Sequence, residues 1–366
     1  LGTDEKYIKA CLNLAKRSGN RTSPNPLVGC VVVKDGRIIS KGYHKKFGDL
    51  HAEREALAKL NYQAEGATLY VNLEPCCHWG KTPPCTEAII ESGIRRVIIG
   101  MTDPNPKVRG KGIETLKEAG IEVRVGVLEK ECKYLNRGFI KWIQSGIPYV
   151  IIKWAQTVDG KIATINGESK WISSESSLRY AHSLRAFCDA VIIGKNTLYK
   201  DDPQLTVRFV KGHNPKRVIL CNKIEIKRDF NVITYEPNNT WFFGTSIDKE
   251  SKELLIKKGV RFTILKEREG NLDLKEVLSI LGQEGITKVL VEGGRRIIGH
   301  FIKEELFDEI STVIAPKVMG SGISAVETTI ASKMDEVKKL YLYSVRRLGE
   351  DVLLVLINPQ SLSFLS

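Results

Sequence analysis

Helix-period stretches and short β-rich stretches alternate through the first 145 residues of the chain. Apolar residues three and four apart predict helices over 7–17, from about 52 to 60, over 86–92 and over 112–119. Between them, apolar runs predict strands at 28–33, 37–43, 67–73, 96–100 and 122–127. Strands interleaved with helices argue for an α/β layer sandwich. The segment 136–148 sets Gly138, Gly146 and Pro148 around apolar Phe139, Trp142 and Ile143, which predicts a docked connecting helix. It divides the chain into two expected domains, 1–145 and 146–366. In the second, strands are predicted at 148–155, 190–194, 217–221, 241–244, 288–292 and 351–357. A tight turn is expected at Asp159-Gly160, and a helix over 176–185 after Ser173-Ser174.

Composition narrows the class. Of 366 residues, 42% are hydrophobic and 27% charged, the balance of a folded globular chain rather than a disordered or membrane one. No apolar run reaches the length of a bilayer span, and Leu1-Gly2-Thr3-Asp4-Glu5 lacks the order of a signal peptide. A cytoplasmic location is the expectation. The net charge of +13 comes from basic residues interleaved with acids over both halves, not from a basic tail. That pattern suits phosphorylated small molecules and argues against nucleic acid and membrane as partners. A homodimer or higher homo-oligomer is expected. Eight cysteines over this length are too sparse for a disulfide scaffold.

Three of those cysteines fall near His51-Ala52-Glu53, in Pro75-Cys76-Cys77 and Pro84-Cys85. One imidazole and two thiolates make a three-ligand zinc site with its fourth position open to water. Glu53 is then the natural catalytic carboxylate, a pairing that points to hydrolytic deamination. Residues two apart do not share a helix face, so His51 and Glu53 converge only at a helix start. Asp49 is the expected cap of that helix. Pro83 and Pro84 suit entry to the second helix, stopped at Gly93, so His51 and Cys85 should both sit at helix N-termini, where the backbone dipole favours thiolate. The deaminase signature His-x-Glu…Pro-Cys-x-x-Cys is stretched here. Cys77 and His78 therefore compete as ligands. Taken singly, each residue reads as a buried cysteine or a surface histidine, and only the ordered set favours metal.

The run from Asn72 to Cys85, Asn-Leu-Glu-Pro-Cys-Cys-His-Trp-Gly-Lys-Thr-Pro-Pro-Cys, resembles the bifunctional riboflavin-biosynthesis deaminase/reductase family. Thr22-Ser-Pro-Asn-Pro-Leu-Val-Gly29 and Thr102-Asp-Pro-Asn-Pro106 are similar to segments of the same family. The resemblance implies a cytidine-deaminase-like three-layer α/β/α sandwich followed by a dihydrofolate-reductase-like α/β domain. It implies Zn2+ and NADPH as cofactors and phosphorylated ribosylaminopyrimidines as substrates. Zinc would be held by His51, Cys76 and Cys85, with Glu53 as acid and base. Asn25, His44, Ala52, Lys81, Asp103 and Asn105 are the candidates to surround the deaminase substrate.

In the second half, Gly293-Gly294 follows a predicted strand and opens a helix, a turn that lets backbone amides approach phosphate closely. Such a turn alone is more often merely structural. No strand-associated Gly-x-Gly-x-x-Gly accompanies it, which disfavours a standard dinucleotide fold. Lys153-Trp-Ala155, Gly167-Glu-Ser-Lys-Trp-Ile172 and Asp201-Asp-Pro-Gln-Leu-Thr-Val-Arg208 resemble the reductase half of the family. The resemblance implies NADPH contacts from Ala155, Trp171, Thr197, Gly294, Arg295, Arg296 and Ile297. It implies substrate contacts from Lys153, Ser169, Arg185, Asp201, Leu205, Arg208 and Glu292. Arg185 and Arg208 suit a phosphate because guanidinium donates paired hydrogen bonds.

Two other classes compete. A nucleic-acid-editing deaminase requires a basic, aromatic-lined groove, and no such cluster stands in the sequence. A closed four-ligand zinc module would bind without turnover.

Overall fold

The computed structural model describes residues 2–80 and 83–365. The chain divides into two compact units, the first running to Gly146 and taking in the residues from Phe364 onward, the second covering Ile147–Ser363.

The first unit is built on β1 (Gly29–Lys34), β2 (Arg37–Tyr43), β3 (Thr68–Val71), β4 (Arg96–Ile99) and β5 (Glu122–Val125). Their spatial order is β2-β1-β3-β4-β5, with β1 antiparallel to both neighbours and β3, β4 and β5 mutually parallel. Two glycines show how helices cover both faces. A Cβ at Gly29 would strike the Cys11 carbonyl of α1 (Thr3–Ala15). One at Gly42 would lie 2.6 Å from the Ala56 nitrogen of α2 (Ala52–Ala58). Gly42 pairs with Cys30, the neighbour of Gly29, and successive strand residues face opposite ways. Helices α1 and α2 therefore lie on opposite sides of the sheet, the helix-covered sandwich that the alternating pattern predicts.

Helix α2 begins one residue after His51, whose extended backbone (φ −67, ψ 160) makes it the N-cap. Asp49 is not the cap. Its N–H turns back to the Lys46 carbonyl, and the next carbonyl, Leu50, is taken by the His44 ring, so the chain enters the helix only at His51. Helix α3 (Cys85–Glu91) starts directly after Pro84 and is followed at Gly93 by a left-handed residue, φ +72. The connector forms a helix over Arg137–Ser145, closed by Gly146 at φ +71.

The second unit carries a nine-stranded sheet. Its order is Arg261–Ile264, Thr240–Gly244, Lys216–Leu220, Ala190–Gly194, Lys288–Val291, Tyr149–Thr157, Glu309–Ala315, Asp351–Ile357 and Tyr341–Leu348. The first seven are parallel and the last two complete an antiparallel edge. Tyr149–Ile152, Ala190–Ile193 and Val289–Val291 are buried without interruption, as parallel strands covered on both faces require. Arg261–Ile264 and Tyr341–Leu348, which the apolar pattern does not predict, are the two edges. Each is exposed on at least one face and lacks a long apolar run. The helix predicted after Ser174 spans Glu175–Phe187, and its first turn is capped from afar: Ser174 N–H and Ser177 Oγ donate to Asp351. Among the described residues no helix is long and apolar enough to cross a membrane.

Candidate active sites

The starts of α2 and α3 and the loop after β3 bring His51, Cys85 and Cys76 together. His51 Nδ1 lies 3.5 Å from Cys76 Sγ and 3.4 Å from Cys85 Sγ, and the three donor atoms all fall within 4.8 Å of one another. Tetrahedral zinc with ordinary Zn–N and Zn–S bonds sets nitrogen and sulfur about 3.6 Å apart. The donor set and its spacing therefore fit zinc. The sequence left Cys77 and His78 as rivals; among the described residues only His51, Cys76 and Cys85 form such a group.

Protons show how strongly these groups interact. Hydrogen bonding from Cys85, then from His51, holds the Cys76 thiol down to about 4, despite burial. The same Cys85 hydrogen bond, with burial, pushes Cys85 well above an ordinary thiol. His51 is raised, chiefly by its bond to Cys76. A thiol held below its ordinary pKa lowers the proton cost of ligation. Glu53, on the first turn of α2, is buried, and burial followed by the Cys76 charge draws its carboxyl up to about 7. A carboxyl poised near neutrality can both take and return a proton.

A cavity of about 240 Å³ opens beside this cluster. Asn25, His44, Glu53, Asp103 and Asn105 line it, together with Glu74 and Phe139. His44 Nδ1 lies 3.1 Å from the Leu50 carbonyl and Nε2 3.2 Å from Asn25 Nδ2. The carbonyl can only accept, so Nδ1 carries the hydrogen and Nε2 accepts from the Asn25 amide. Burial keeps this ring neutral by lowering its pKa. Asp103 is raised to about 7, first by burial and then by the nearby Glu74 charge. Ala52 is fully buried at the start of α2 and does not line the cavity. Lys81 lies outside the described residues.

In the second unit a larger cavity, about 730 Å³, lies at the carboxyl ends of parallel strands, where open α/β sheets bind ligands. Lys153, Ala155, Ser169, Trp171, Arg185, Thr197, Asp201, Glu292 and the run Gly294–Ile297 all line it. Leu205 and Arg208 do not. Leu205 is buried, and Arg208 donates to Gln204 and Thr206. The turn before the helix Arg295–Lys303 makes a cradle: Gly294 has φ +76, and a Cβ there would sit 3.1 Å from Thr197 Oγ1. A Cβ at Gly293 would meet Ile193 at 3.0 Å and Thr197 at 3.2 Å. Only glycine fits this turn, and the helix caps no amide with its own side chain. Free amides at a helix start beside Arg295 and Arg296 fit a dinucleotide's phosphates. Seven basic side chains line the cavity against three acidic ones, suited to an anionic cofactor and substrate. Burial pulls the Lys153 pKa down.

Sequence reasoning passed over several residues here. Glu74 gathers backbone donors of the first site, as described below. His182 accepts the Arg208 N–H through Nδ1 at 3.1 Å, and Lys200 ties the Gly167 carbonyl at 2.7 Å. None carries a local signal, because each acts on backbone remote in sequence.

Comparison with known proteins gives both halves a class. Residues 1–101 match the cytidine and deoxycytidylate deaminase zinc-binding region, and residues 148–354 match the RibD C-terminal domain. The chain is thus a zinc-binding deaminase joined to a reductase. It is 47% identical to riboflavin biosynthesis protein RibD of Aquifex aeolicus, covering 96% of this chain and 97% of that one. It is 37% identical to RibD of Escherichia coli K12, over 97% and 99%. The solved Thermotoga maritima diaminohydroxyphosphoribosylaminopyrimidine deaminase/5-amino-6-(5-phosphoribosylamino)uracil reductase is 38% identical with a TM-score of 0.85, over 97% and 99%. The chain belongs to the RibD family of bifunctional riboflavin-biosynthesis enzymes.

Its halves are accordingly a cytidine-deaminase-like sandwich and a dihydrofolate-reductase-like domain. The enzyme deaminates 2,5-diamino-6-(5-phosphoribosylamino)pyrimidin-4-one hydrolytically and reduces the ribosyl group of the product to ribityl. Zinc serves the first reaction and NADPH the second.

Proposed function

We propose that residues 1–145 carry out the deamination and residues 146–366 the reduction, each with its own residues. The convergence of His51, Cys76 and Cys85 beside buried Glu53 carries this reading. Zinc on those three ligands supplies activation of water for attack on the amino-bearing ring carbon. Glu53 takes a proton from the water and delivers it to the ring nitrogen, then takes the proton of the newly added hydroxyl and delivers it to the amino group, which leaves as ammonia while the carbonyl forms, a cycle that its near-neutral carboxyl favours. Asn25, neutral His44, Asp103 and Asn105 orient base and phosphate from the cavity wall. Ala52 and Lys81 complete the proposed contacts.

In the second site NADPH supplies hydride to ribose C1. Gly294–Ile297, Ala155, Trp171 and Thr197 hold the cofactor, while Lys153, Ser169, Asp201 and Glu292 face the substrate. Arg185 fixes Glu292 and the Thr206 carbonyl of the loop that carries Leu205 and Arg208. The required proton comes from Lys153 or Asp201, both on the cavity wall. Substrates are small phosphorylated ribosylaminopyrimidines in the cytoplasm, with no nucleic-acid or membrane partner. The exposed apolar side chains of edge strand Tyr341–Leu348, Tyr341, Leu342 and Val345, support a homo-oligomer joined there.

Purified protein given the diamino substrate tests this, with ammonia release and NADPH consumption followed separately. Both should proceed, and omission of NADPH should stop only the second. Ammonia release that requires NADPH would contradict two independent sites.

A further inference from the structure

Glu74 precedes the metal-site segment Pro75-Cys76 and is 3% exposed. Its carboxylate accepts four backbone N–H groups from one distant loop. Oε2 takes Asp103 at 3.1 Å and Gly110 at 3.1 Å; Oε1 takes Gly112 at 3.1 Å and Ile113 at 3.3 Å. Gly112 and Ile113 are the second and third residues of the helix Lys111–Glu118, whose own N-cap, Gly110, has no side chain to offer. The carboxylate therefore caps that helix from 38 residues away, where negative charge also meets the positive end of the backbone dipole. The Glu74 N–H in turn donates to the Met101 carbonyl at 2.9 Å. The loop so gripped holds Asp103 and Asn105, themselves locked together by Asn105 N–H to Asp103 Oδ1 at 2.8 Å. A Cβ at Gly112 would strike the Pro75 carbonyl, so loop and metal segment touch at a point that admits only glycine.

A carboxylate offers about four lone-pair sites, and all four are used here. Although Glu74 lines the cavity, it keeps no acceptor for the substrate. We infer that Glu74 is a positioning residue for deamination: it ties the substrate-facing loop 103–113 to the metal segment, so that base recognition is held in register with the reacting centre. This rests on the reading of Asp103 and Asn105 as substrate contacts.

Replacing one carboxylate oxygen by an amide in Glu74→Gln sets N–H against N–H at two of the four bonds. The expected result is a KM for deamination raised about tenfold or more, with kcat within about threefold, zinc content unchanged, and reduction of the pre-deaminated compound unaffected. Glu74→Asp, which keeps the charge but is a methylene short, should not restore KM; restoration would mean that charge alone matters and would overturn the inference. So would an unchanged KM, or loss of zinc and kcat with KM unmoved. If Glu74→Gln does not fold, Gly112→Ala disturbs the same contact from the loop side and must give the same raised KM. Asn105→Ala separates the two levels. An unchanged KM there removes the substrate role of the loop, whereas a rise there without one in Glu74→Gln removes only the positioning role.

Discussion

Arg185 grips Glu292 across the floor of the reductase cavity: Nε lies 3.0 and 2.9 Å from the two carboxylate oxygens, and Nη2 lies 2.5 Å from Oε2. Nη1 also donates to the Thr206 carbonyl at 3.1 Å. The guanidinium therefore joins the helix Glu175–Phe187, the Glu292-Gly293-Gly294 turn and the loop beyond Leu205. Both side chains are largely buried, 14% and 7% exposed, so the pair is geometrically committed and shielded from water.

Arg185→Lys retains the charge but cannot form the fork. Reduction should fall by about tenfold or more in kcat/KM, and the second unit should lose about 1.5–3 kcal/mol of stability, since the charge stays but hydrogen bonds of the fork to Glu292 and the Thr206 carbonyl are lost. Ammonia release should stay at its original rate. Steady-state assays of both reactions check this, and an equal loss of both would contradict it.

Helix α2 carries Glu53 and packs on β2 at Gly42. Gly42→Ala would force a methyl against Ala52 and Ala56, so the helix must shift or the sheet must yield. Overpacking of this kind costs about 1–3 kcal/mol. The melting temperature should drop by several degrees and ammonia release should fall more than reduction does. Calorimetry together with the two assays reads both effects.

Much of the first site was legible in the sequence because its chemistry is local. His51 and Glu53 stand two apart, a spacing that works only at a helix start, and α2 starts between them. Pro84 opens α3 at Cys85 for the same legible reason. The cap was not legible: Asp49 looks like one, but its N–H turns back to the Lys46 carbonyl and the His44 ring takes the Leu50 carbonyl, local bonds to backbone that leave no capping pattern in the residue types. Lys153, Arg185 and Glu292 lie on three separate elements and meet only because the parallel strands end together. Their residue types alone predict solvated surface, and it was the resemblance to a family that singled them out. Glu74 was invisible in another way, since its four partners are backbone amides and carry no side-chain signature.

Metal content should follow the three donors and not their neighbour. Cys76→Ser and Cys85→Ser should each leave less than about a tenth of the zinc after dialysis, with ammonia release lost and reduction kept. Cys77→Ser, outside the converging group, should keep its zinc. Elemental analysis decides the matter, and zinc loss in the Cys77 variant alone would reverse the assignment.

His182 takes up its proton at a lower pH than a surface histidine. Burial first, then the Arg185 and Arg208 charges, lower its pKa from 6.5 to about 4. Between those values the unfolded chain binds a proton that the folded chain refuses, so this residue's contribution to stability is present above pH 6.5 and is lost as pH falls towards 4. His182→Gln should flatten that part of the acid limb relative to the parent. Urea unfolding at several pH values from about 4.5 to 7 measures the difference, and parallel curves would refute it.

The most direct test of two independent sites is Glu53→Gln, which removes the buried acid and base but leaves His51, Cys76 and Cys85 in place. The variant should bind zinc, release no ammonia from the diamino substrate, and still oxidise NADPH with the pre-deaminated compound at the parental rate. Loss of both activities in a folded, zinc-loaded Glu53→Gln protein, or undiminished ammonia release, would contradict the account.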